Sequence, residues 1–587
     1  MNTLLSAQSI SYGITSGSLF EELSFTLTKG DRIALVGPNG CGKSTLLKLL
    51  NGEIPNFSGE LSVAQQCQLG RVEQQLPFET IGLTLLEAVL AQIPIEFRKS
   101  EQWRAEVLLA ELGFQQATWD IALSTLSGGQ HARLLIARAL ILDPDTLLLD
   151  EPSNHLDLPS LLWLERFLKQ WKGSFVLVSH DQRLLDQLCS STWILRDKKL
   201  YYFQLPCGDA RKALVEMDAS NALRHSAQEK EIQRIEKSAE RLALWGKNYD
   251  NESFSRKAKS MEKRVGHLKD AQTQLSDIEP WKLRLNGETM SADRLLCLET
   301  LDVYPEQNAK ALFQVLAQQI KSGDRVAILG KNGSGKSSLI RLLWENYLSV
   351  QNGQDVDPNC KFHPLARVGY YDQSLHQLRS TDTLVDAIYG FCPNSQEHRK
   401  MALISAGFAY QRHHQLVSDL SGGERARLLF VGLSLANFHV LMLDEPTNHL
   451  DMDGKDELAQ ALHAFNGALL LVSHDRDLIQ SVCNRFWYID DVGLQEMYTL
   501  ESVFEQMSQV TAAQDSIRDS ESKSNRQNEL DLPTLDTSNQ EPMLERLIEL
   551  ESLLEDDLSR KVKHQKPSLQ KQWQIEIQAI EIKLAIE

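Results

Sequence analysis

Short apolar runs that stop abruptly at a charged or hydroxyl residue recur along this chain. Thr146-Leu147-Leu148-Leu149-Asp150 and Phe175-Val176-Leu177-Val178-Ser179-His180 are strand-sized and apolar on both faces. That pattern predicts central strands of a parallel sheet covered on both sides. It returns at Val440-Leu441-Met442-Leu443-Asp444 and Leu469-Leu470-Leu471-Val472-Ser473-His474. Arg32-Ile33-Ala34-Leu35-Val36-Gly37 predicts a further strand, and Lys43 to Leu50 a helix directly behind it.

Between these two sets of strands the pattern changes. Residues 209–277 hold few strand formers and many Glu, Lys, Arg, Ala and Gln, a composition that favours long helices. Turn formers from Gly246 to Ser255 interrupt it, so a helical hairpin is expected. One helix should end near Trp245 and a second begin near Arg256. A helix of ~35 residues would reach roughly 50 Å. Past the last strands, 512–541 is rich in Ser, Asp, Glu, Gln and Asn and reads as a disordered tether. Leu544, Leu547, Leu550, Leu554 and Leu558, then Leu569, Trp573, Ile577, Ile580 and Leu584, form one-sided helical stripes either side of Lys566-Pro567-Ser568. A small antiparallel coiled coil is predicted there.

The repetition extends to whole motifs. Gly37-Pro38-Asn39-Gly40-Cys41-Gly42-Lys43-Ser44-Thr45 returns as Gly330-Lys331-Asn332-Gly333-Ser334-Gly335-Lys336-Ser337-Ser338. Ser127-Gly128-Gly129 returns as Ser421-Gly422-Gly423, and the Asp-Glu-Pro-(Ser/Thr)-Asn-His-Leu-Asp string at 150–157 returns at 444–451. The chain is a duplication. We divide it into 1–208, a first cassette; 209–280, a helical linker; 281–505, a second cassette; 506–541, a tether; and 542–587, a terminal helical hairpin. The fold class is α/β, two phosphate-loop domains joined by a helical hairpin.

Composition narrows the setting. No apolar run approaches bilayer length, and the N-terminus lacks the basic start and long apolar core of a signal peptide. Eight cysteines without a CxxC pair suggest neither a zinc site nor a disulfide framework, which fits a reducing cytoplasm. The net charge of −18 argues against a general nucleic-acid coat. Locally the balance reverses: Arg241 to Lys269 holds eight basic side chains against three acidic ones, a net +5. Arg256, Lys257, Lys259, Lys263 and Arg264 are therefore candidate RNA contacts, with Trp245, Tyr249 and Phe254 available to stack on bases.

The chemistry follows from the placement. A Gly-rich loop between strand and helix lets backbone N–H groups close around phosphate oxygens. Lys43 and Lys336 supply mobile charges for the β- and γ-phosphates, and the Ser44 and Ser337 hydroxyls can ligate Mg²⁺. Asp150 and Asp444, ending apolar strands, can hold that ion, while Glu151 and Glu445 can polarise an attacking water. His180 and His474 can reach the γ-phosphate. Gln74 and Gln373, past a third strand-like run, can ligate Mg²⁺, with Gln75 competing for the first position.

Together these motifs resemble the ATP-binding-cassette superfamily over about 1–205 and 290–500, and Ser-Gly-Gly is specific to it. The resemblance implies cassettes facing head to tail, so that each signature caps the γ-phosphate held by the opposite loop. One site would pair Lys43, Ser44, Gln74, Asp150, Glu151 and His180 with Ser421, Gly422 and Gly423. The other would pair Lys336, Ser337, Gln373, Asp444, Glu445 and His474 with Ser127, Gly128 and Gly129. Tyr12 resembles the aromatic that stacks on adenine, and Tyr304 is its counterpart. Asn-His-Leu-Asp after each Asp-Glu-Pro, the charged linker and the tandem arrangement are similar to the ABC-F subfamily. That resemblance implies an ATPase acting on the ribosome, bound near the tRNA exit site when ATP closes the cassettes. It also implies a monomer, a linker directed toward P-site tRNA and ribosomal RNA, and either general translation or protection against antibiotics. The alternatives are the ATPase subunit of a drug exporter and a DNA-associated ATPase. The interval from Gln74 to Ser127 is 53 residues against 48 from Gln373 to Ser421. The excess is too short for the helical arm that some ABC-F members carry there.

Overall fold

In a computed structural model of the chain, residues 3–504 and 506 are described, apart from 15–16, 78–79, 81, 124–125, 155, 249–251, 274–280, 292–293, 306–309, 355–356, 394 and 491–492. The tether and the terminal coiled coil expected at 506–587 lie outside the described residues but for position 506.

Each half builds the same six-stranded sheet. In the first, the order is Leu69–Val72, Thr146–Asp150, Ser174–Val178, Arg32–Val36, Ser191–Arg196, Lys199–Phe203. The first five strands are parallel and the last is antiparallel. The second half repeats this as Val368–Tyr371, Val440–Asp444, Ala468–Val472, Arg325–Gly330, Arg485–Ile489, Leu494–Met497. The strands that read as apolar on both faces are those most enclosed: every residue of Thr146–Asp150, Ser174–Val178, Val440–Asp444 and Ala468–Val472 is buried. A three-stranded antiparallel sheet lies beside each large one, formed by Thr3–Ile14, Gly17–Thr28 and Ser58–Val63 in the first half. Its Phe25 packs on the fully buried Trp193, ring centroids 4.5 Å apart, which ties the two sheets into one core.

Parallel strands aligned this way put all their C-terminal ends on one edge, where open α/β sheets bind ligands. Both Gly-rich loops leave that edge and turn into helices Lys43–Leu50 and Lys336–Gln351. The turn needs glycine. Gly42 and Gly335 cap these helices at φ 102° and 96°, and a Cβ on either would press on the ring of Phe20 or Phe313 at 2.7 and 2.8 Å.

The linker is an antiparallel pair, Cys207–Asn248 and Glu252–Asp270. The first helix has 42 residues, so it spans ~63 Å, and it continues past Trp245 where turn formers were expected to stop it. Only 249–251 separate the two helices: Gly246 and Asn248 cost helix propensity but are outweighed by continuity with a long preceding helix. Ile232 and Ala239 on one helix and Ala258 and Val265 on the other form the buried seam. Between Gln74 and Ser127 the described residues hold the short helices Leu85–Leu90 and Gln102–Glu111 and no long hairpin.

Candidate active site

One cavity of about 1040 Å³ lies between the two halves and contains parts of both phosphate loops. From the first half come Asn39, Lys43, Ser44 and Thr45, with Gln74, Gln75, Glu151 and His180 around them. From the second come Asn332, Lys336, Ser337 and Ser338, with Gln373, Glu445 and His474. Residues some 300 positions apart thus meet at one interface.

Each loop is internally braced. Lys43 Nζ donates to the carbonyl oxygens of Gly37 (2.8 Å) and Pro38 (3.1 Å). Lys336 Nζ does the same to Gly330 (2.9 Å) and Lys331 (2.8 Å). Ser44 Oγ donates to Asp150 Oδ1 at 2.9 Å, and Ser337 Oγ to Asp444 Oδ1 at 3.0 Å. A hydroxyl beside a buried carboxylate, with a glutamine amide on the cavity wall, is an oxygen-donor set that suits Mg²⁺. Among the described residues no cluster of three or more His, Cys, Asp or Glu could hold a metal.

The glutamates sit in left-handed backbone, φ 51° at Glu151 and 48° at Glu445, a conformation rare for residues other than glycine. The strain re-aims each carboxylate from the strand end into the interface. His180 Nε2 lies 3.0 Å from Glu151 Oε1. In the second half His474 Nε2 instead bonds Asn332 Oδ1 at 3.1 Å and stays 3.4 Å from Glu445 Oε1, which is buried without a hydrogen-bond partner. Burial alone would push Glu151 up. The hydrogen bond from His180 and the charges of His180, Lys43 and Lys455 outweigh it and hold the carboxyl below its ordinary value. Burial wins at Glu445 and pushes it up to about 7. Burial also pushes His474 down to about 3, with Lys336 adding to the effect.

The opposite half closes each loop. Ser421 starts helix Gly422–Ser434 as its N-cap, accepting from the Glu424 N–H, and Ser127 does so for Gly128–Leu140 with Gln130. Ser421, Gly422 and Gly423 line the cavity, and a Cβ on Gly423 would lie 3.4 Å from Asn39 Nδ2 of the first loop. Asn39 Nδ2 donates to the His449 carbonyl at 2.9 Å, and the Asn39 N–H to Asp451 Oδ2 at 3.3 Å. The reciprocal bond, from the Asn332 N–H to Asp157 Oδ2, is 3.2 Å. Ser127, Gly128 and Gly129 are not brought to the cavity wall, and His155 lies outside the described residues.

Asp157 and Asp451 were not singled out from sequence, although both end the repeated Asn-His-Leu-Asp and both cap the helix that follows. Their other oxygen clasps the opposite loop, which spacing along the chain cannot reveal. Tyr12 packs near Phe20, ring centroids 6.3 Å apart, while Ile14 and Leu19 line the cavity in its neighbourhood. Tyr304 is 46% exposed, and Pro305 and Leu312 line the second side. On the linker, Arg256, Lys257, Lys259, Lys263 and Arg264 are exposed. Arg264 is 3.6 Å from Glu231 and Lys269 2.7 Å from Glu236 on the companion helix. Tyr249 and the Phe254 side chain lie outside the described residues.

Paired phosphate loops, each closed by the other copy of a duplicated α/β fold, define a tandem nucleotide-binding-cassette ATPase. The ABC transporter family profile matches residues 20–154 and 313–448. Similar proteins include the ribosome protection protein VmlR of Bacillus subtilis, 28% identical over 512 residues, covering 84% of this chain and 88% of that one. The putative ATP-binding protein YdiF of the same organism is 28% identical over 537 residues (84% and 81%), and ABC transporter F family member 4 of Arabidopsis thaliana 29% over 542 (83% and 74%). Among solved structures, an archaeal ribosome recycling factor, crystallised with a ribosomal stalk protein, shares the fold at TM-score 0.55 and 19% identity, covering 86% of this chain and 92% of that one. Both cassettes thus match the ABC transporter family, and the relatives that span them include a member of the ABC-F group. No helix among the described residues is long and apolar enough to cross a membrane.

Proposed function

We propose that this protein hydrolyses ATP at two sites shared between its cassettes and uses the cycle to bind and leave the ribosome. The observation that carries the shared-site reading is the clasp of Asn39 by His449 and Asp451 beside Ser421, in the cavity that holds Lys43. Phosphates would lie against the loop N–H groups and the helix N-termini, with Lys43 or Lys336 at the β- and γ-oxygens. Ser44, Asp150 and Gln74, or Ser337, Asp444 and Gln373, would hold Mg²⁺. When bound there, Mg²⁺ would supply charge that offsets what develops on the phosphate oxygens. Glu151 and Glu445 then orient and polarise the attacking water, and His180 and His474 hold the γ-phosphate from the other side. Ser421 caps one phosphate in trans, and Ser127, which stands off the cavity wall here, would have to move in to cap the other, so hydrolysis removes what holds the halves together.

Ribosome binding rests on the relatives, one of them a ribosome protection protein, and on the exposed cations of the linker. Lys257, Lys259 and Lys263 would contact RNA phosphates, with the closed form seated near the tRNA exit site and the hairpin directed at P-site tRNA. The protein would act in the cytoplasm as a monomer. Co-sedimentation tests this: the Glu151→Gln/Glu445→Gln form should pellet with ribosomes in ATP. Recovery with membranes instead would favour an exporter subunit.

A further inference from the structure

The linker begins wedged between the two cassettes. Cys207, Ala210 and Leu214 of its first helix are buried in the core of the first cassette, and Met452 of the second cassette enters the same cluster. Cys207 Sγ lies 3.9 Å from Met452 Sδ, and the Gly208 N–H donates to Asp186 Oδ1 at 2.8 Å. One turn further on, Arg211 spans the interface. It donates to Gln182 Oε1 of the first cassette at 2.9 Å, and to Asp453 Oδ1 and Asp456 Oδ2 of the second at 2.5 and 2.7 Å. Both acids stand near the start of helix Met452–Ala464, whose N-cap is Asp451. That aspartate divides its oxygens: Oδ1 accepts from the Gly454 N–H, and Oδ2 from the Asn39 N–H of the opposite phosphate loop. The other site is braced differently. Its clasping residue, Asp157, caps helix Leu158–Gln170, which carries Pro159 and Leu162 where the copy carries Asp453 and Asp456. The second cassette holds that helix directly, through Arg476 at 3.5 Å from Glu165. The counterpart of Arg476 is Gln182, the acceptor of Arg211. One clasping helix is therefore held cassette to cassette, and the other through the linker.

We propose that Arg211 is a positioning residue for the ATP site around Lys43 and Glu151: from the linker it fixes the helix whose cap, Asp451, clasps that phosphate loop. Closing the second cassette over the Lys43 loop then requires a seated linker root, whereas the Lys336 loop is closed without it. Arg211 does not line the cavity that holds Lys43, so it sets how readily ATP closes the site and leaves the bond-breaking step alone. The same linker carries the cations proposed to meet RNA. A linker drawn from its seat would loosen one ATP site and spare the other. The inference rests on the reading of the sites as shared and of Glu151 and Glu445 as the groups that activate water.

Arg211→Met is made in two backgrounds, Glu445→Gln, which leaves hydrolysis to Glu151, and Glu151→Gln, which leaves it to Glu445. In the first, KM for ATP should rise about twofold to fivefold, the size set by a partly exposed ion-pair network, while kcat holds. In the second, neither should move. Arg211→Lys, which keeps the charge but not the fork, should recover part of the shift. Asp453→Asn with Asp456→Asn should reproduce it, and adding Arg211→Met to that pair should change little further. A linker root that merely stabilises the interface would shift both backgrounds alike. Equal shifts, a larger one in the second background, or a fall in kcat with KM unchanged overturns the inference. If a single-glutamine form is inactive, equilibrium dialysis of labelled ATP against the double glutamine form carrying Arg211→Met decides. Weakening of one of the two bound nucleotides supports the inference; weakening of both, or of neither, contradicts it. Failure of the underlying reading looks different: the double glutamine form would then hydrolyse ATP at the wild-type rate, or Ser421→Arg would leave the first background active.

Discussion

The site around Lys43 and Glu151 and the site around Lys336 and Glu445 are spelled with nearly the same letters and surrounded by different charges. Asp150 has Arg71 at 3.9 Å; the matching place beside Asp444 is Tyr370, which bonds Asp372. Glu73 is 3.6 Å from Arg138, whereas Asp372 has Gly432 at the corresponding place. Glu151 pairs with His180 and is held below its ordinary value; at Glu445 burial outweighs the opposing charge of Lys336 and the hydrogen bond from the His474 backbone. The first two differences add positive charge to the first site. Motifs fix which groups face a phosphate, but residues outside the motifs set how much opposing charge those groups carry.

The comparison can be broken most strongly at the glutamates. Glu151→Gln with Glu445→Gln should lower steady-state phosphate release by roughly 10²-fold to 10⁴-fold, the range for losing a general base, while ATP binding persists. Near wild-type turnover would show that the water is activated elsewhere. The linker offers an effect of intermediate size. Reversing Lys257, Lys259 and Lys263 should weaken ribosome binding and flatten its salt dependence by roughly one unit of slope, or slightly less, per lost phosphate contact. Reversing Arg264, already beside Glu231, should do less. Binding across a salt series, with the double glutamine form held on ATP, measures both, and an unchanged slope would rule out phosphate contact.

A pH profile sharpens the contrast between sites. Burial pushes Glu445 up to about 7, so at low ATP the Glu151→Gln chain should gain kcat/KM as pH rises through about 7, where the carboxylate becomes charged. The Glu445→Gln chain should show no such limb there, because Glu151 is held below its ordinary value. Superimposable profiles would make the sites electrostatically alike. The smallest effect is expected where the linker meets the second cassette. Arg211 bonds Asp453 and Asp456 at 2.5 and 2.7 Å, but both acids are largely exposed, so Arg211→Ala should cost no more than about 1 kcal/mol in a denaturant titration.

Much of this was legible in the sequence because phosphate binding dictates backbone as well as side chains. A buried strand, a glycine turn and a helix leave few spellings, and Lys43, Ser44 and their repeats follow from them. The linker's helicity was legible for a similar reason, although Gly246 was given too much weight as a breaker. Contacts across the interface were not legible: Asn39 and Asp451 are 412 residues apart, and nothing in the spacing of Arg211 reveals what it faces. Tyr12 shows a local limit. Register shifts on both sides of it in the strand pair Thr3–Ile14 and Gly17–Thr28 change which neighbours reach the cavity, and periodicity cannot place such irregularities.

Swapping the signatures tests most directly whether each site is shared between cassettes. In the Glu445→Gln background, where Glu151 alone can act, Ser421→Arg should abolish hydrolysis and Ser127→Arg should leave most of it. Turnover that survives Ser421→Arg, or that is lost only with Ser127→Arg, would contradict a site in which the second cassette completes the phosphate loop of the first.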